Sequence, residues 1–485
     1  MPPRGAPPEV APETEARLLF RRGFLLHAEA AGAEGSEWRR LRAGWRCLRL
    51  ADLVLWLHPE AEVAVERHGA DFTVLIGEAW FVGPPRGRSP CAVLSLTAGP
   101  ALETALGELS GRFAVIARRG TETAVYNDPF GSRTVCYRAI VPHAVASHSE
   151  LLALAFSGDL DPDVAQFRTS RLWATLPVLL LPGDVTAFRD VFLLVPNNAF
   201  LLETGRTRRY WPRQAPAATS FEDFAIACDA YFEAMAQALS GRPVWLSITG
   251  GFDSRLLLAA LDRFGVAFKT VTWRKLNFKP WEERPVAEIS RRLGRPHFVV
   301  DDSNDQPSEI AVVGARNGGR RTHRPHPSVS GMGRLLADDP RSVFVRGVGG
   351  EAIRGYFHNK PGRMAALSVE EMVRTYSISI PAAENDALAF VTAAFADFWQ
   401  RGNYADPAAH ALDPNDLFYW EHRLGSWAAE SLNSMDPACR NLIGYNSRRL
   451  AEIAYGLPPG ERLGGGLFVR LIARYRPDLA DIPIQ

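Results

Sequence analysis

The stretch Val244-Trp-Leu-Ser-Ile-Thr-Gly-Gly-Phe-Asp-Ser-Arg255 decides the fold. It begins with a short apolar run, which is typical of a buried strand in a parallel sheet. Thr249 starts a turn, and Gly250 and Gly251 provide the backbone freedom that a tight turn needs. We expect Ser254 to cap the helix predicted by the apolar run that follows.

A strand, a glycine turn and a helix N-terminus in succession predict an anion-binding loop. Backbone N–H groups and the positive end of the helix dipole point at the same place. Asp253 puts a carboxylate beside this place, and a phosphate there would be repelled unless a divalent cation lay between the two charges. The loop therefore predicts a site for a nucleotide with Mg²⁺.

This loop resembles the pyrophosphate loop of asparagine synthetases and other N-type ATP pyrophosphatases, whose pattern is Ser-Gly-Gly-x-Asp-Ser. Thr249 replaces the first serine and keeps its hydroxyl, and Gly250, Gly251, Asp253 and Ser254 match. The resemblance implies that the loop binds ATP. The alternative is a Gly-Gly turn in an unrelated α/β fold.

Composition indicates an ordinary globular protein. The chain has 485 residues, of which 47% are hydrophobic and 22% charged, enough for two or three domains. The net charge of +1 favours neither nucleic acid nor membrane as a partner. Five scattered cysteines, no apolar signal segment and no apolar run long enough to span a bilayer predict a cytoplasmic protein.

The N-terminal half carries a second set of patterns, in which strand-like segments alternate with glycine and proline. They resemble the glutaminase domain of asparagine synthetases, with its Leu…Gly-x-Phe-Ala strand, Asp-x-x-Gly turn and Ala-Ser-Glu segment. The corresponding segments here are Leu109…Gly111-Arg-Phe113-Ala114, Asp128-Pro-Phe-Gly131 and Ala146-Ser-His-Ser-Glu150.

One departure from the family pattern predicts what this half does not do. The family's glutaminase uses a cysteine directly after the initiator Met, because its free α-amino group can act as the base for its own thiol. Position 2 is Pro, and the first cysteine is Cys47. We therefore expect a glutaminase-like domain without the nucleophile, as in the β-lactam synthetases and lasso-peptide cyclases that the chain also resembles.

The predicted fold class is α/β with two domains. Residues 1–16 are expected to be a flexible arm, and residues 17–212 the glutaminase-like α+β sandwich. Residues 213–220 are rich in Pro, Ala and Thr and form the expected linker. Residues 221–485 alternate strand and helix, which predicts a parallel-sheet ATP-pyrophosphatase domain with a helical C-terminal part.

The strand after the loop helix supplies the expected adenine contacts. Val271, Thr272 and Trp273 fall where the family binds adenine through strand backbone. Glu282 and His297 fall on the family's acidic residue and its Leu-Gly-x-x-His histidine. The alternative for His297 is a purely structural role, in which a histidine at the start of a strand forms a hydrogen bond within the fold.

A second glycine-rich site follows the apolar run that starts at Val343. It resembles the family's Gly-x-Gly-x-Asp-Glu-x-x-x-Gly-Tyr, with one residue fewer before Gly-Tyr. Gly349 is assigned to the nucleotide site, and Glu351 stands where the family has its second metal-binding Asp. Glu is also a hard oxygen ligand, so Asp253 and Glu351 are the predicted Mg²⁺ ligands. The alternative for Glu351 is a purely structural role, in which its carboxylate interacts with the positive end of the helix dipole.

The catalytic lysine that the family carries near its C-terminus is absent. Residues 463–470 occupy its region, and the chain has only four lysines, at 269, 275, 279 and 360. Arg462 or Arg470 could hold pyrophosphate, and we place Arg470 with Asp253 and Glu351 in the predicted catalytic set, although a guanidinium is a poor base. A further arginine- and histidine-rich segment predicts either an anion site or a solvated loop: Arg316, Arg320, Arg321, His323, Arg324 and His326.

Together the resemblances imply an ATP-dependent, AMP-forming carboxylate–amine ligase for specialised biosynthesis. Its expected cofactors are ATP and Mg²⁺, and its expected partners are small-molecule or peptide carboxylates and amines, with a homodimer or biosynthetic partner proteins as possible additions. Two alternatives stay open: a non-catalytic or regulatory member of the family, and an RNA-modifying pyrophosphatase, against which the neutral charge argues.

Overall fold

A computed structural model describes residues 8–85, 87–274, 280–301, 308–319, 327–377 and 385–483, with residues 280–282 and 327 described by their backbone alone. Within these ranges the fold is built on three sheets. The strands are β1 Phe24–Ala28, β2 Arg46–Leu50, β3 Leu53–Leu57, β4 Val63–His68, β5 Asp71–Phe81, β6 Leu109–Arg119, β7 Glu122–Asn127, β8 Cys136–Arg138, β9 Ala144–Ala146, β10 Val191–Leu193, β11 Asn198–Leu201, β12 Arg206–Arg209, β13 Val244–Ser247, β14 Phe268–Arg274, β15 His297–Asp301, β16 Val343–Arg346 and β17 Arg440–Ile443.

Helices cover all three sheets. They are α1 Pro12–Leu18, α2 Ser36–Leu41, α3 Pro90–Ser95, α4 Gly99–Gly107, α5 Ser149–Phe156, α6 Pro162–Phe167, α7 Arg171–Thr175, α8 Phe221–Ala238, α9 Phe252–Arg263, α10 Pro280–Leu293, α11 Glu309–Asn317, α12 Pro327–Leu335, α13 Gly350–Ile353, α14 Val369–Tyr376, α15 Asn385–Arg401, α16 Pro414–Phe418, α17 Ala429–Met435, α18 Arg448–Tyr455, α19 Pro459–Arg462, α20 Gly466–Tyr475 and α21 Pro477–Ala480. A π-helix, Tyr419–Ala428, links α16 to α17. No helix in the described ranges is long and apolar enough to cross a membrane.

The N-terminal half is a sandwich of two antiparallel six-stranded sheets, with orders β10-β8-β9-β1-β3-β2 and β12-β11-β7-β6-β5-β4. Side chains alternate along each strand, so every second residue points between the sheets. Leu26, Leu55, Ile76, Ile116 and Val125 are among the fully buried residues of that inner layer. The expected α+β sandwich is therefore confirmed.

The N-terminal arm differs from expectation. Pro12–Leu18 forms α1, whose Leu18 is buried and whose Glu15 lies against Arg316 of α11 in an ion pair. Residues 12–16 are thus held by the C-terminal half, while residues 1–7 lie outside the described ranges. The reason is that α1 buries Leu18 and pairs Glu15, two tertiary contacts that the Pro- and Glu-rich composition does not reveal.

The C-terminal half contains a five-stranded parallel sheet with the order β15-β14-β13-β16-β17. The chain starts at the central strand β13, runs outward through β14 and β15, and returns to the other side of β13 with β16. This reversal of direction between β13 and β16 opens a crevice at the carboxyl ends of the strands. The parallel α/β architecture expected from the sequence is confirmed.

Buried polar contacts join the two halves. Arg112 of β6 donates to both carboxylate oxygens of Asp436, at 2.5 and 2.9 Å, and the pair is almost fully buried. Asn446 donates to the Asp128 carboxylate at 2.8 Å and accepts the Phe130 N–H at 2.8 Å. The Asp128–Gly131 turn of the sandwich is thereby fixed against the sheet that carries the loops described next.

Candidate nucleotide-binding site

The loop after β13 lies in the crevice at the reversal point of the parallel sheet. Helix α9 begins at Phe252, with Gly251 as its N-cap and no side-chain capping bond. Ser254 therefore does not cap the helix, contrary to the prediction, because the helix starts two residues earlier. Its Oγ instead accepts the Thr249 N–H at 3.1 Å and lies 2.8 Å from the Thr249 hydroxyl. The side-chain cap is replaced by N–H groups left open at the helix start.

The two loop glycines are not required by the ligand-free backbone. Gly251 has φ −82° and ψ 176°, an extended conformation open to other residues. A Cβ at Gly251 would lie 3.5 Å from the Thr249 hydroxyl, and one at Gly250 would lie 3.5 Å from Pro285, both ordinary contacts. Since internal packing does not demand glycine here, the space that a Cβ would take remains open to a ligand.

The glycines after β16 are required by packing. A Cβ at Gly347 would lie 2.7 Å from the Ser254 backbone, and one at Gly350 would lie 2.2 Å from the Asp253 carboxylate. Gly349 has φ +99°, and a Cβ on it would meet the Phe130 ring at 2.6 Å. These close approaches press the loop after β16 against the loop after β13, so the two predicted glycine-rich segments form one site.

Arg354 forms a bidentate pair with the Asp253 carboxylate. Its Nε donates to Oδ1 at 3.0 Å and its Nη2 donates to Oδ2 at 2.9 Å. Burial alone would lower the pKa of Arg354, but the hydrogen bonds and charge of Asp253 raise it overall. The Tyr445 hydroxyl donates to the Asp253 carbonyl at 2.6 Å and fixes the backbone. Asp253 is therefore preoriented and paired in this structure.

Glu351 lies within electrostatic reach of Asp253. Burial, followed by the negative charge of Asp253, raises the pKa of Glu351 to about 7. Its Oε2 accepts the Gly349 N–H at 3.1 Å, the contact of a helix-start carboxylate. Glu351 therefore has the helix-start contact of the alternative interpretation, and its role as a cation ligand beside Asp253 stays a prediction.

The predicted adenine-binding residues lie on β14, next to the loop. The ladder between β13 and β14 ends at the pair Ser247–Val271, and β14 runs three residues further, to Arg274. The Thr272 hydroxyl donates to the Ile248 carbonyl at 2.9 Å. Trp273 packs against Phe344 with ring centroids 5.5 Å apart. This arrangement places strand backbone beyond β13, beside the turn that starts at Thr249.

Other predicted residues lie elsewhere. Arg470 stacks on Phe221, 3.5 Å from the ring centroid, and its Nη1 lies 3.2 Å from Glu461. Arg462 is paired with Asp416 and donates to the Ile353 carbonyl. The role of Arg470 in pyrophosphate binding therefore stays a prediction, without a contact to Asp253 or Glu351 in the described ranges.

His297 and Arg316 have structural partners. His297 Nδ1 lies 3.0 Å from the Thr270 hydroxyl, which is the hydrogen bond expected for a structural role of this histidine. Arg316 pairs with three carboxylates of the N-terminal half. Side chains of several other predicted residues lie outside the described residues: Lys275, Lys279, Glu282, Arg320, Arg321, His323, Arg324 and His326.

Sequence reasoning missed three residues that shape the site. Arg354 lies three residues after Glu351 but binds Asp253. Arg255 is fully buried and donates to the Gly250 carbonyl at 3.0 Å. Phe130 packs from the sandwich against Gly349. Arg255 contacts a residue five positions away, whereas Arg354 and Phe130 act across long sequence separations.

Comparisons with known proteins return distant structures. NMN synthetase from Francisella tularensis is 12% identical, covering 42% of this chain and 94% of that chain, with a TM-score of 0.22. Glutamine-dependent NAD⁺ synthetase from Acinetobacter baumannii, in complex with ADP, is 13% identical, covering 46% and 53%, with a TM-score of 0.21. Glutamine phosphoribosylpyrophosphate amidotransferase from B. subtilis is 12% identical, covering 72% and 76%, with a TM-score of 0.23. No protein-family model matches the chain, and no curated protein matches it significantly.

Proposed function

We propose that this protein is an ATP-dependent ligase that activates a carboxylate as an acyl-adenylate for attack by an amine. The observation that carries the proposal is the meeting of two glycine-rich loops at the reversal point of the parallel sheet, where the charge of Asp253 acts on Glu351. Ligands of open α/β sheets bind in this crevice. The fold supports nucleotide binding there, and the paired carboxylates support chemistry on its phosphates.

The loop after β13 is the phosphate-binding element of the proposal. Helix α9 presents an N-terminus without a side-chain cap, so its first N–H groups and its dipole favour an anion. Thr249 is exposed and adds a hydroxyl. Adenine would lie along the end of β14, at Val271 to Trp273, where strand backbone extends beyond β13.

Asp253 and Glu351 have the chemistry of a Mg²⁺ site. Burial is the larger cause of the raised pKa of Glu351 and the charge of Asp253 the second, and a shared cation would offset the repulsion between the two carboxylates. When bound, Mg²⁺ would neutralise charge on the leaving pyrophosphate. Arg354 binds both Asp253 oxygens, and each oxygen keeps a further lone pair for a cation. In this proposal the remaining N–H groups of the guanidinium contact the phosphates.

The proposed reaction has two steps. The carboxylate attacks the α-phosphate, which gives an acyl-adenylate and releases pyrophosphate. An amine then attacks the acyl carbon, and AMP leaves. The open N–H groups of α9 stabilise the charge that gathers on the leaving phosphates. With no lysine among the described residues that contact Asp253, we assign the charge stabilisation to Arg354 rather than to Arg470.

Nitrogen would not come from glutamine. Strand β1 of the sandwich is preceded by α1 and starts at Phe24, and position 2 of the chain is Pro. We predict no glutamate release from glutamine, with or without ATP, because Pro2 stands where the resembled glutaminases carry their cysteine, and Cys47 is the one exposed cysteine among the described residues. Glutamate measured by a coupled dehydrogenase assay should stay at the no-enzyme level. Glutamate above that level, with an intact N-terminus confirmed by mass spectrometry, would contradict the prediction.

One observation favours a second candidate function, a protein that binds a nucleotide or a partner without catalysis. Arg354 supplies the positive charge beside Asp253 that a cation would otherwise supply, and both Asp253 oxygens are engaged. Such a protein would bind ATP without converting it to AMP. Conversion of ATP to AMP and pyrophosphate in the presence of acid and amine therefore separates the two functions.

The proposal is tested by Gly251→Ala. Its Cβ would make only an ordinary 3.5 Å contact inside the protein, so the melting temperature should stay within about 1 °C of wild type. In the loop it would occupy the space proposed for phosphate, and Mg-ATP binding measured by calorimetry should weaken at least ~10-fold. A matched variant, Gly107→Ala, also has an open surrounding but lies in α4 of the N-terminal half and should bind normally. Equal ATP binding by Gly251→Ala and wild type would contradict the assignment of this loop as the phosphate-binding element.

A further inference from the structure

A cavity of about 200 Å³ lies beside the proposed nucleotide site. One wall comes from residues 176–180 of the N-terminal half, and the opposite wall comes from the segment that follows α13. Its lining includes the side chains of Leu176, Val178, Phe357 and Phe418, so the interior is largely apolar. Nothing in the site described above uses this space.

Two packed tyrosine rings link the cavity wall to the surroundings of Glu351. Tyr356, in its wall, follows Glu351 by five residues. The Tyr356 ring packs against Tyr419 with centroids 4.9 Å apart. Burial raises the pKa of Tyr419 well above its ordinary value, and the charges of Glu351 and Asp253 contribute in the same direction. Tyr356 and Tyr419 therefore connect the cavity wall to the surroundings of the two carboxylates.

Arg423 places an unmatched positive charge on the cavity wall. Its guanidinium carbon lies 5.2 Å from the ring centroids of both Tyr356 and Trp427. Within the described ranges it forms no salt bridge, and its buried Nε has no hydrogen-bond partner. A buried N–H without a partner costs free energy that a ligand oxygen would restore.

The rest of the lining gives the cavity little competing charge. His422 lines it too, and burial lowers the pKa of its imidazole to about 3, so it is neutral near pH 7. Lys360 also belongs to the wall but is exposed, with its Nζ 5.2 Å from the Tyr356 ring centroid. The carboxylate-accepting group inside the cavity is therefore Arg423.

We propose that this cavity binds the carboxylic acid that the enzyme activates, with an aromatic or branched aliphatic tail among the apolar side chains and its carboxylate on Arg423. A cavity of roughly 150 Å³ can hold benzene, so about 200 Å³ accommodates a six-membered ring with a short chain. Two charge-assisted hydrogen bonds to a guanidinium orient a planar carboxylate. The substrate role rests on the proposed function, whereas acid binding as such does not.

The test is calorimetry with the full-length protein and no nucleotide. The probes are 3-phenylpropionate and 4-methylpentanoate, compared with acetate, which lacks the tail, and 3-phenylpropanamide, which lacks the charge. At least one of the two tailed acids should bind, and both controls should bind at least ~10-fold more weakly. Arg423→Gln should weaken acid binding at least ~10-fold, and Val178→Trp, which fills the cavity, should abolish it.

Matched variants guard against unfolding and surface effects. Arg138 also stacks on an aromatic ring, at 5.5 Å from Phe156, so Arg138→Gln should bind the acids normally. Val141 is 78% exposed, so Val141→Trp controls for added apolar area. The cavity assignment is overturned if neither tailed acid binds, if the amide binds as tightly as the acid, or if folded Arg423→Gln and Val178→Trp bind like wild type.

Acid binding in the cavity can be tested separately from the ligase activity. Asp253→Ala removes nucleotide use under the proposed function but should retain acid binding, because the cavity does not include Asp253. Acid binding without AMP formation would leave the cavity assignment standing and remove the ligase. AMP formation with no acid binding in the cavity would support the ligase and overturn the cavity assignment.

Discussion

Replacement of Asp253 by asparagine should abolish Mg-ATP-dependent formation of AMP, with a loss of at least ~1,000-fold. Asparagine keeps the size of the side chain and removes the charge, so a cation loses one of its two carboxylate ligands. Asp253→Ala should be equally inactive. Radiolabelled ATP with separation of AMP and pyrophosphate measures the effect directly.

The control must account for the ion pair that is lost with Asp253. Removing one partner of a buried pair destabilises a protein whatever its function. Asp184 and Arg401 form a pair of the same geometry, with both hydrogen bonds at 2.8 Å and a similarly half-buried arginine. Asp184→Asn should therefore cost comparable stability by thermal melting and leave ATP conversion near wild type. Retained AMP formation by folded Asp253→Asn would refute the cation assignment.

Glu351→Gln should lose at least ~100-fold in AMP formation, whereas Glu351→Asp should lose about 10-fold, because Asp keeps the charge on a shorter arm. If Glu351 only served the start of the helix, Glu351→Gln should lose less activity than Glu351→Asp, since Gln can still accept the Gly349 N–H. Glu222, in the first turn of α8, provides the control for a dipole effect, and Glu222→Gln should be active. Full activity of Glu351→Gln would leave Glu351 a structural residue.

The raised pKa of Glu351 adds a pH dependence whose sign can be worked out. In the metal-free protein the group takes up a proton more readily than in the unfolded chain, since its pKa is raised from 4.5 to about 7. The stability that this contributes is fully present below pH 4.5 and is lost as the pH rises through 7. Wild-type melting temperature should therefore fall between pH 5 and 8 relative to Glu351→Gln. Parallel melting curves for the two proteins would contradict this.

Local sequence was sufficient for the elements of the site. The apolar run from Val244 predicts β13, and the loop residues Thr249 to Ser254 follow it as expected, because strand and turn propensities act over a few neighbours. The alternation of strand and helix in the second half predicts the parallel sheet. The same reasoning placed Asp253 and Glu351 on one side of that sheet, since the carboxyl ends of parallel strands share an edge.

Tertiary structure alone decided the partners of those residues. Local pattern could not show that Arg354 binds Asp253 rather than Glu351, because that choice depends on how α13 packs against α9. It also could not show that Phe130 supports Gly349 from the other half of the chain, nor that Arg470 turns toward Phe221. The sequence by itself determined which residues form the strands and loops, since those depend on short-range backbone preference. Which charges meet was decided by packing between segments separated by about a hundred residues or more, and no local pattern encodes it.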